Sequence, residues 1–104
     1  AGIARVKKGS KSGYAKALGS TLAHYDCDRV YVRIYLDESE NGTDGWWTLT
    51  YWTANAYNDS MVTVNSGDYK ITKGDYYRAT GAHSVFQDDI VETTATCTSA
   101  VPIN

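Results

Sequence analysis

From Val30 to Leu36 apolar and polar positions alternate without a break, with Val30, Val32, Ile34 and Leu36 on one phase and Tyr31, Arg33 and Tyr35 on the other. Successive side chains leave a pleated backbone on opposite sides, so this pattern predicts a half-buried strand with an aliphatic inner face. A second run, Trp46 to Trp52, reads Trp-Trp-Thr-Leu-Thr-Tyr-Trp, and its β-branched and aromatic side chains also suit a pleat. It carries more ring area than one buried face holds, so part of it belongs on a solvent-side surface. Asp37 to Gly45 is an acidic turn between the two runs, and Asn55 to Ser60 is a polar loop. Short strands follow near Met61–Val64 and Tyr69–Thr72. Lys73-Gly74-Asp75 turns into Tyr76–Val85, and Gln87-Asp88-Asp89 turns into a last strand, Ile90–Ser99. Only Tyr14 to Ala23 competes as a helix, and Gly13 and Gly19 argue against it.

About seven strands, closely spaced turn signals and no βαβ pattern predict an all-β protein. The expected architecture is a single antiparallel β-sandwich of the immunoglobulin-like kind. Placing the aliphatic residues inward gives a core of Val30, Val32, Ile34, Leu36, Trp47, Leu49, Tyr51, Tyr77, Ala79, Val91, Ala95 and Cys97. Trp46, Trp52, Tyr76 and Arg78 then fall on the outer face. If the tryptophan strand neighbours the Tyr76 strand, Arg78 lies across an indole in a cation–π contact.

Composition narrows the functional classes. A chain of 104 residues makes one core. Net charge is −2, with 42% hydrophobic residues, which excludes a disordered polyelectrolyte. No apolar run approaches the ~20 residues needed to span a bilayer. Nine tyrosines and three tryptophans against one phenylalanine favour half-exposed sheet faces, because each such ring carries a polar atom on an apolar body. Charge is uneven: Arg5, Lys7, Lys8, Lys11 and Lys16 precede the first acid, Asp26. Residues 1–13 therefore read as a flexible basic arm before a domain at 14–104, and Ala1 suits a first residue after signal cleavage. The acidic body opposes nucleic-acid binding.

Cys27 and Cys97 flank the strand region without metal or redox spacing, which predicts a disulfide and an oxidising compartment. Two free thiols in a cytosolic protein are the alternative. Catalytic signatures are absent. His83 and Ser84 are adjacent, so on a strand they face opposite ways, and no nucleophile-elbow motif accompanies them. Asp88, Asp89 and Glu92 read as a solvated turn rather than a glycosidase carboxylate pair. Asp37, Glu38, Glu40 and Asp44 around Asn41-Gly42 suit calcium in ligand type but lack EF-hand spacing, and they read first as an acidic hairpin loop with calcium as the alternative. No metal or cofactor is expected.

At Lys73-Gly74-Asp75-Tyr76-Tyr77-Arg78-Ala79-Thr80-Gly81-Ala82-His83-Ser84, followed by Glu92-Thr93, the chain resembles an uncharacterised family of small secreted proteins of Gram-positive bacteria. Asp44-Gly45-Trp46-Trp47-Thr48 looks like that family's Asp-Gly-x-Trp-Thr element. The resemblance covers about residues 14–100 and implies an extracellular location and a β fold, with no catalytic residues to carry over. A looser similarity links Tyr76-x-Arg78 to fibronectin type III and other immunoglobulin-like sandwiches. The chain departs from those in lacking a Pro-rich start and in placing a cysteine on its last strand. The expectation is a secreted, non-catalytic binding module that recognises a carbohydrate or protein surface through Trp46, Trp52, Tyr76 and Arg78. The alternative is a secreted bacteriocin-like toxin or hydrolase inhibitor that acts through its basic arm or loops.

Overall fold

The computed structural model describes residues 1–104, and every element in it is a strand: β1 (Gly2–Lys8), β2 (Tyr14–Ser39), β3 (Trp47–Asn65), β4 (Tyr69–Lys70), β5 (Tyr76–Gln87), β6 (Ile90–Cys97) and β7 (Val101–Pro102). All seven join one antiparallel sheet, and the sheet is curled. β2 is its spine. The first half of β2 pairs with β1, with β4 and with the end of β3; the second half pairs with the start of β3 on one side and with β5 on the other. β6 and β7 pair with β5. The segment Tyr14–Ala23 is strand, in keeping with the glycines that argue against a helix there. Gly2–Lys8, expected as part of a flexible arm, is strand β1, paired residue for residue with Ala15–Thr21. Its small and aliphatic residues, Gly2, Ala4 and Val6, turn inward in alternation with exposed Ile3, Arg5 and Lys7. Period-two burial explains the strand, and the cluster of lysines had obscured it.

The curl follows from side-chain size. Between Leu22 and Cys27 the register of β2 against β3 shifts, and the two halves of β2 come face to face. Small residues on the first half meet large ones on the second. Ala15 packs with Leu36, and Ala17 packs with Ile34. A Cβ on Gly19 would lie 2.9 Å from Ile34 Cδ1 and 3.2 Å from Val32 Cγ2, so nothing larger than hydrogen fits there without movement. Thr21 completes the series by donating its hydroxyl to Tyr31 O at 2.8 Å. Val30, Val32, Ile34 and Leu36 are fully buried, as their alternation predicts. Each contributes roughly 1.5–3 kcal/mol of burial.

Face assignments on β3 and β6 differ from expectation. Trp47 and Tyr51 are exposed (42% and 53%), and Val91, Ala95 and Cys97 also face solvent. On β3 a bulge is responsible for Tyr51, while Trp47 lies before it, opposite Glu38. Thr50 pairs with Leu36 whereas Thr48 pairs with Asp37, so Leu49 is an extra residue and the inward phase switches from odd to even numbers. Trp52, expected outside, pairs with Ile34 and packs inward against Tyr69, ring edge to face at 5.5 Å. On β6 the strand is a sheet edge with no second layer above its outer face, so its apolar residues have nothing to bury against.

Cys27 and Cys97 are free thiols, one buried and one exposed. The expected bridge is ruled out by register. Cys97 pairs with Thr80, which pairs with Tyr35 of β2, eight residues along that strand from Cys27. At ~3.3 Å per residue that is ~26 Å, and two strand spacings separate them as well. A disulfide needs Cα atoms within about 7 Å.

Polar groups in the interior are fully partnered, with no buried side-chain nitrogen or oxygen left without a hydrogen bond. Glu38 is buried and accepts from the Tyr77 hydroxyl at 2.5 Å, while Thr72 N–H donates to the same phenol oxygen at 2.8 Å. Burial and the Glu38 carboxylate together raise the Tyr77 pKa well above its usual value. His83 occupies a slot so tight that a Cβ on Gly2 or Gly81 would strike its ring. Its Nδ1 lies 2.8 Å from Thr21 Oγ1 and its Nε2 2.7 Å from Thr96 Oγ1. The Thr21 hydroxyl proton already goes to Tyr31 O, so Nδ1–H donates to Thr21 and Nε2 accepts from Thr96. Burial lowers the His83 pKa, and the ring is neutral in this arrangement.

Candidate binding face

The outer phase of β2 and its neighbours builds a face that the inner phase could not. Paired residues on antiparallel strands project from one side of the sheet, so the register can be read as a set of rows. Tyr57, Arg29, Phe86 and Val91 form one row, and Asn55, Tyr31, Ser84 and Thr93 the next. Thr53, Arg33, Ala82 and Ala95 follow, then Tyr51, Tyr35, Thr80 and Cys97. Arg78, opposite Asp37, ends the series. Tall side chains dominate β3 and β2; apart from Phe86, short ones occupy β5 and β6. The face is thus a ridge of rings and guanidiniums beside a shallow trough floored by Ser, Ala and Thr.

Arg33 is the centre of the ridge. Its Nε donates to Tyr31 OH at 2.8 Å and its Nη1 to Tyr35 OH at 3.3 Å. Its guanidinium carbon lies 5.0 Å from the Tyr51 ring centroid, and the Tyr35 and Tyr51 rings stand 5.8 Å apart. The hydrogen bonds to Tyr35 and Tyr31 raise the guanidinium pKa above its usual value. Arg29 is held by Asn55 Oδ1 at 2.7 Å and lies 4.8 Å from the Phe86 ring centroid. Neither Arg29 nor Arg33 forms a salt bridge; the two that exist are Lys16–Asp68 and Arg78–Asp37. Planar cations on tyrosine and phenylalanine faces pre-shape a flat surface, because stacking fixes rotamers that a solvated arginine would sample freely.

Arg78 behaves differently. Its Nε donates to Asp37 Oδ2 at 3.1 Å while its guanidinium covers the Trp46 ring at 4.2 Å. The expected arginine–indole contact is therefore present, although β2 lies between the two strands that were expected to be neighbours. Asp37 is buried and saturated, accepting also from Thr48 Oγ1 at 2.8 Å and Thr80 Oγ1 at 3.2 Å. Tyr76 shares this face, half-buried against Gly42. Of the four residues singled out in the sequence, Trp46, Arg78 and Tyr76 gather at one end of the face and Trp52 is on the other side of the sheet. Arg29, Tyr31, Arg33, Tyr35 and Tyr51 were missed as a group. Their signal was the polar phase of the same alternation whose apolar phase located the core.

Other candidate chemistry resolves into structure. Asn41 Oδ1 accepts from the backbone N–H groups of Thr43 and Asp44, its Nδ2 donates to Asp44, and Ser39 Oγ donates to Asp44 O. The acidic turn is thus wired to itself. No group of three His, Cys, Asp or Glu side chains is placed to hold a metal ion. A cavity of about 210 Å³ opens beside His83, lined in part by Thr21, His24, Cys27 and Glu92, but both His83 nitrogens are already engaged. Ser84 projects to the opposite face from His83, into the trough.

A family model described as "Family of unknown function (DUF6147)" matches residues 2–101. The chain belongs to this family. No curated protein and no solved structure matches it. The DUF6147 match takes in both halves of β2 and all of β5 and β6, so the whole ridge and trough lie within the family's domain. No helix is long and apolar enough to cross a membrane.

Proposed function

We propose that the domain is a non-catalytic binding module whose recognition surface is the outer face of β3, β2, β5 and β6. One observation carries this reading: an exposed sheet face on which Arg33 is stacked and hydrogen-bonded among Tyr31, Tyr35 and Tyr51 with no carboxylate partner. Aromatic side chains fixed in a plane offer contact area at little entropic cost, which suits sugar rings and extended chains. Beside the cavity the buried histidine has both nitrogens occupied, which favours a structural over a catalytic role for His83. Trp46 and Arg78 extend the face at one end, while Trp52 leaves the proposed site for the core. We read the module as acting outside the cell, on its composition and its aromatic surface rather than on its unbridged cysteines. Within this reading the curled sheet works as a two-layered, sandwich-like support that holds the ridge flat.

The test separates recognition from folding. Tyr51→Ala removes an exposed ring and should leave the unfolding midpoint within ~0.5 kcal/mol of the parent. Binding to a panel of soluble polysaccharides, followed by quenching of tryptophan fluorescence, should weaken about tenfold for any polymer the parent binds. Binding unchanged in Tyr35→Ala, Tyr51→Ala and their combination would remove the ridge from the proposal.

A further inference from the structure

We infer that the ligand of this face is an anionic polysaccharide, an extended chain of sugar rings bearing carboxylates, lying in the trough with its charges on the arginine ridge. The inference rests on the binding-module reading and adds the charge and the track. Charge complementarity carries it. The protein is acidic as a whole, with net charge −2, yet on this face neither Arg29 nor Arg33 forms a salt bridge, and the acids closest in register, Asp28 and Asp59, lie beyond the Arg29 end. Asp37 is the one carboxylate of its rows, and it is buried beneath Arg78, Thr48 and Thr80. A face selected only for solubility would interleave both signs.

Spacing supplies the second argument. Arg29 and Arg33 are four residues apart on one phase of β2, and Arg78 pairs with Asp37, four residues further on. Their positions therefore follow the strand direction at intervals of ~13 Å, with Arg78 one strand over on β5 and paired with Asp37. Between them stand tyrosine rings, so cation and apolar plane alternate along the line. A polymer that repeats charge and sugar ring along its length matches such a line, whereas a small molecule would engage one interval only. Beside it, Ala82 and Ala95 leave room for a chain at the level of Arg33. Arginine is suited to the role because its fork binds carboxylate bidentately while its plane remains stacked. Arg33 keeps unused donors for this purpose, since only Nε and Nη1 are taken up by tyrosine hydroxyls.

The experiment compares polygalacturonate with uncharged dextran as probes for the whole chain, by affinity electrophoresis and titration calorimetry. Polygalacturonate should bind at least tenfold more tightly than dextran and weaken as salt is raised from ~0.05 to ~0.5 M. Arg33→Gln should lose about tenfold in affinity for polygalacturonate, and Arg33→Lys should recover only part of it, because charge returns without the planar fork. Ala95→Trp, which fills the trough and touches neither arginine nor tyrosine, should abolish binding while melting within a few degrees of the parent. Lys7→Gln with Lys8→Gln, on the opposite side of the molecule, should change little. Equal binding of the two polymers with Arg33→Gln unaffected overturns the inference and leaves the binding module standing. Loss of polygalacturonate binding in the lysine variant but not in Arg33→Gln overturns it too, by assigning the charge to β1. Failure of both polymers to bind, with Tyr51→Ala indistinguishable from the parent throughout the panel, overturns the module reading along with it.

Discussion

Over residues 29–36, β2 carries two surfaces with opposite demands on the same backbone. Inward, Val30, Val32, Ile34 and Leu36 are fully buried against alanines and glycine from the strand's own first half. Outward, Arg29, Tyr31, Arg33 and Tyr35 are half-exposed and packed mainly on one another. The inner face obtains its stability from removing apolar area from water. The outer face obtains order from stacking and hydrogen bonds that contribute little to folding, since exposed pairs are weak. Order without much stability is what a preorganised recognition surface requires. Substitutions one residue apart should therefore separate the two roles.

Ile34→Ala should have the largest effect, costing ~2–5 kcal/mol in chemical denaturation, because it opens a cavity in a fully buried cluster where Gly19 and Ala17 offer no side chain long enough to fill it. Arg33→Ala, the adjacent position, should stay within ~0.5 kcal/mol. Similar losses at both would mean that the outer ridge is part of the folding core.

Tyr77→Phe comes next, at about 2 kcal/mol, since it strands the buried Glu38 carboxylate and the Thr72 N–H together. The same bond has a pH signature. The folded-state pKa of Tyr77 is raised, so its contribution is complete below pH about 10 and is lost as pH rises through the folded value. Tyr77→Phe should flatten the alkaline fall in stability. An unchanged alkaline limb would place the cause in other groups.

His83 works in the opposite direction. Its folded-state pKa is lowered, so its contribution is complete above pH 6.5 and declines as pH falls toward the folded value, where the unfolded chain takes up the proton first. Stability should drop as pH falls below ~6.5, and His83→Gln should reduce that slope while costing about 1–2 kcal/mol at neutral pH. A slope unaltered by the substitution would show that the ring titrates alike in both states.

How far the sequence could be read follows the same division. Four aliphatic residues in strict alternation announced the inner face of β2 because burial on one side of a strand imposes a period that composition cannot hide. The all-β character followed from similar local signals, but β1 and β7 did not, and Arg78 covers Trp46 although the strands expected to be neighbours are separated by β2. The faces of β3 did not follow either. One extra residue at Leu49 inverts the phase of everything after it, and no residue type marks that bulge in Thr48-Leu49-Thr50. Strand length was hidden too. β3 runs on through Asn55 and Tyr57, polar positions that read as a loop but pair with Tyr31 and Arg29 of β2. The ridge was missed for a simpler reason: Tyr31, Arg33 and Tyr35 were treated as the solvent side of a strand, when their value lies in rows shared with β3 and β5.

The smallest expected effect tests the ends of that outer face. Cys97 pairs with Thr80 in the row of Tyr35 and Tyr51, with its thiol exposed, whereas Cys27 is buried with Val30, Val32 and Val62. A bridge between them would remove roughly 4 kcal/mol of unfolded-state freedom, so its presence or absence is easily read. With the sulfurs ~26 Å of strand apart, Cys97→Ser should alter stability by less than ~0.5 kcal/mol, and a reductant should leave the melting temperature of the parent unchanged. Cys27→Ser should cost about 1–2 kcal/mol by placing a hydroxyl in an apolar cluster, an effect equal in oxidised and reduced protein. A parent melting temperature that falls by many degrees with reductant, while both serine variants are low already and insensitive to reductant, would require Cys97 to leave this face. That in turn would break the row that sets Tyr35 and Tyr51 beside the trough.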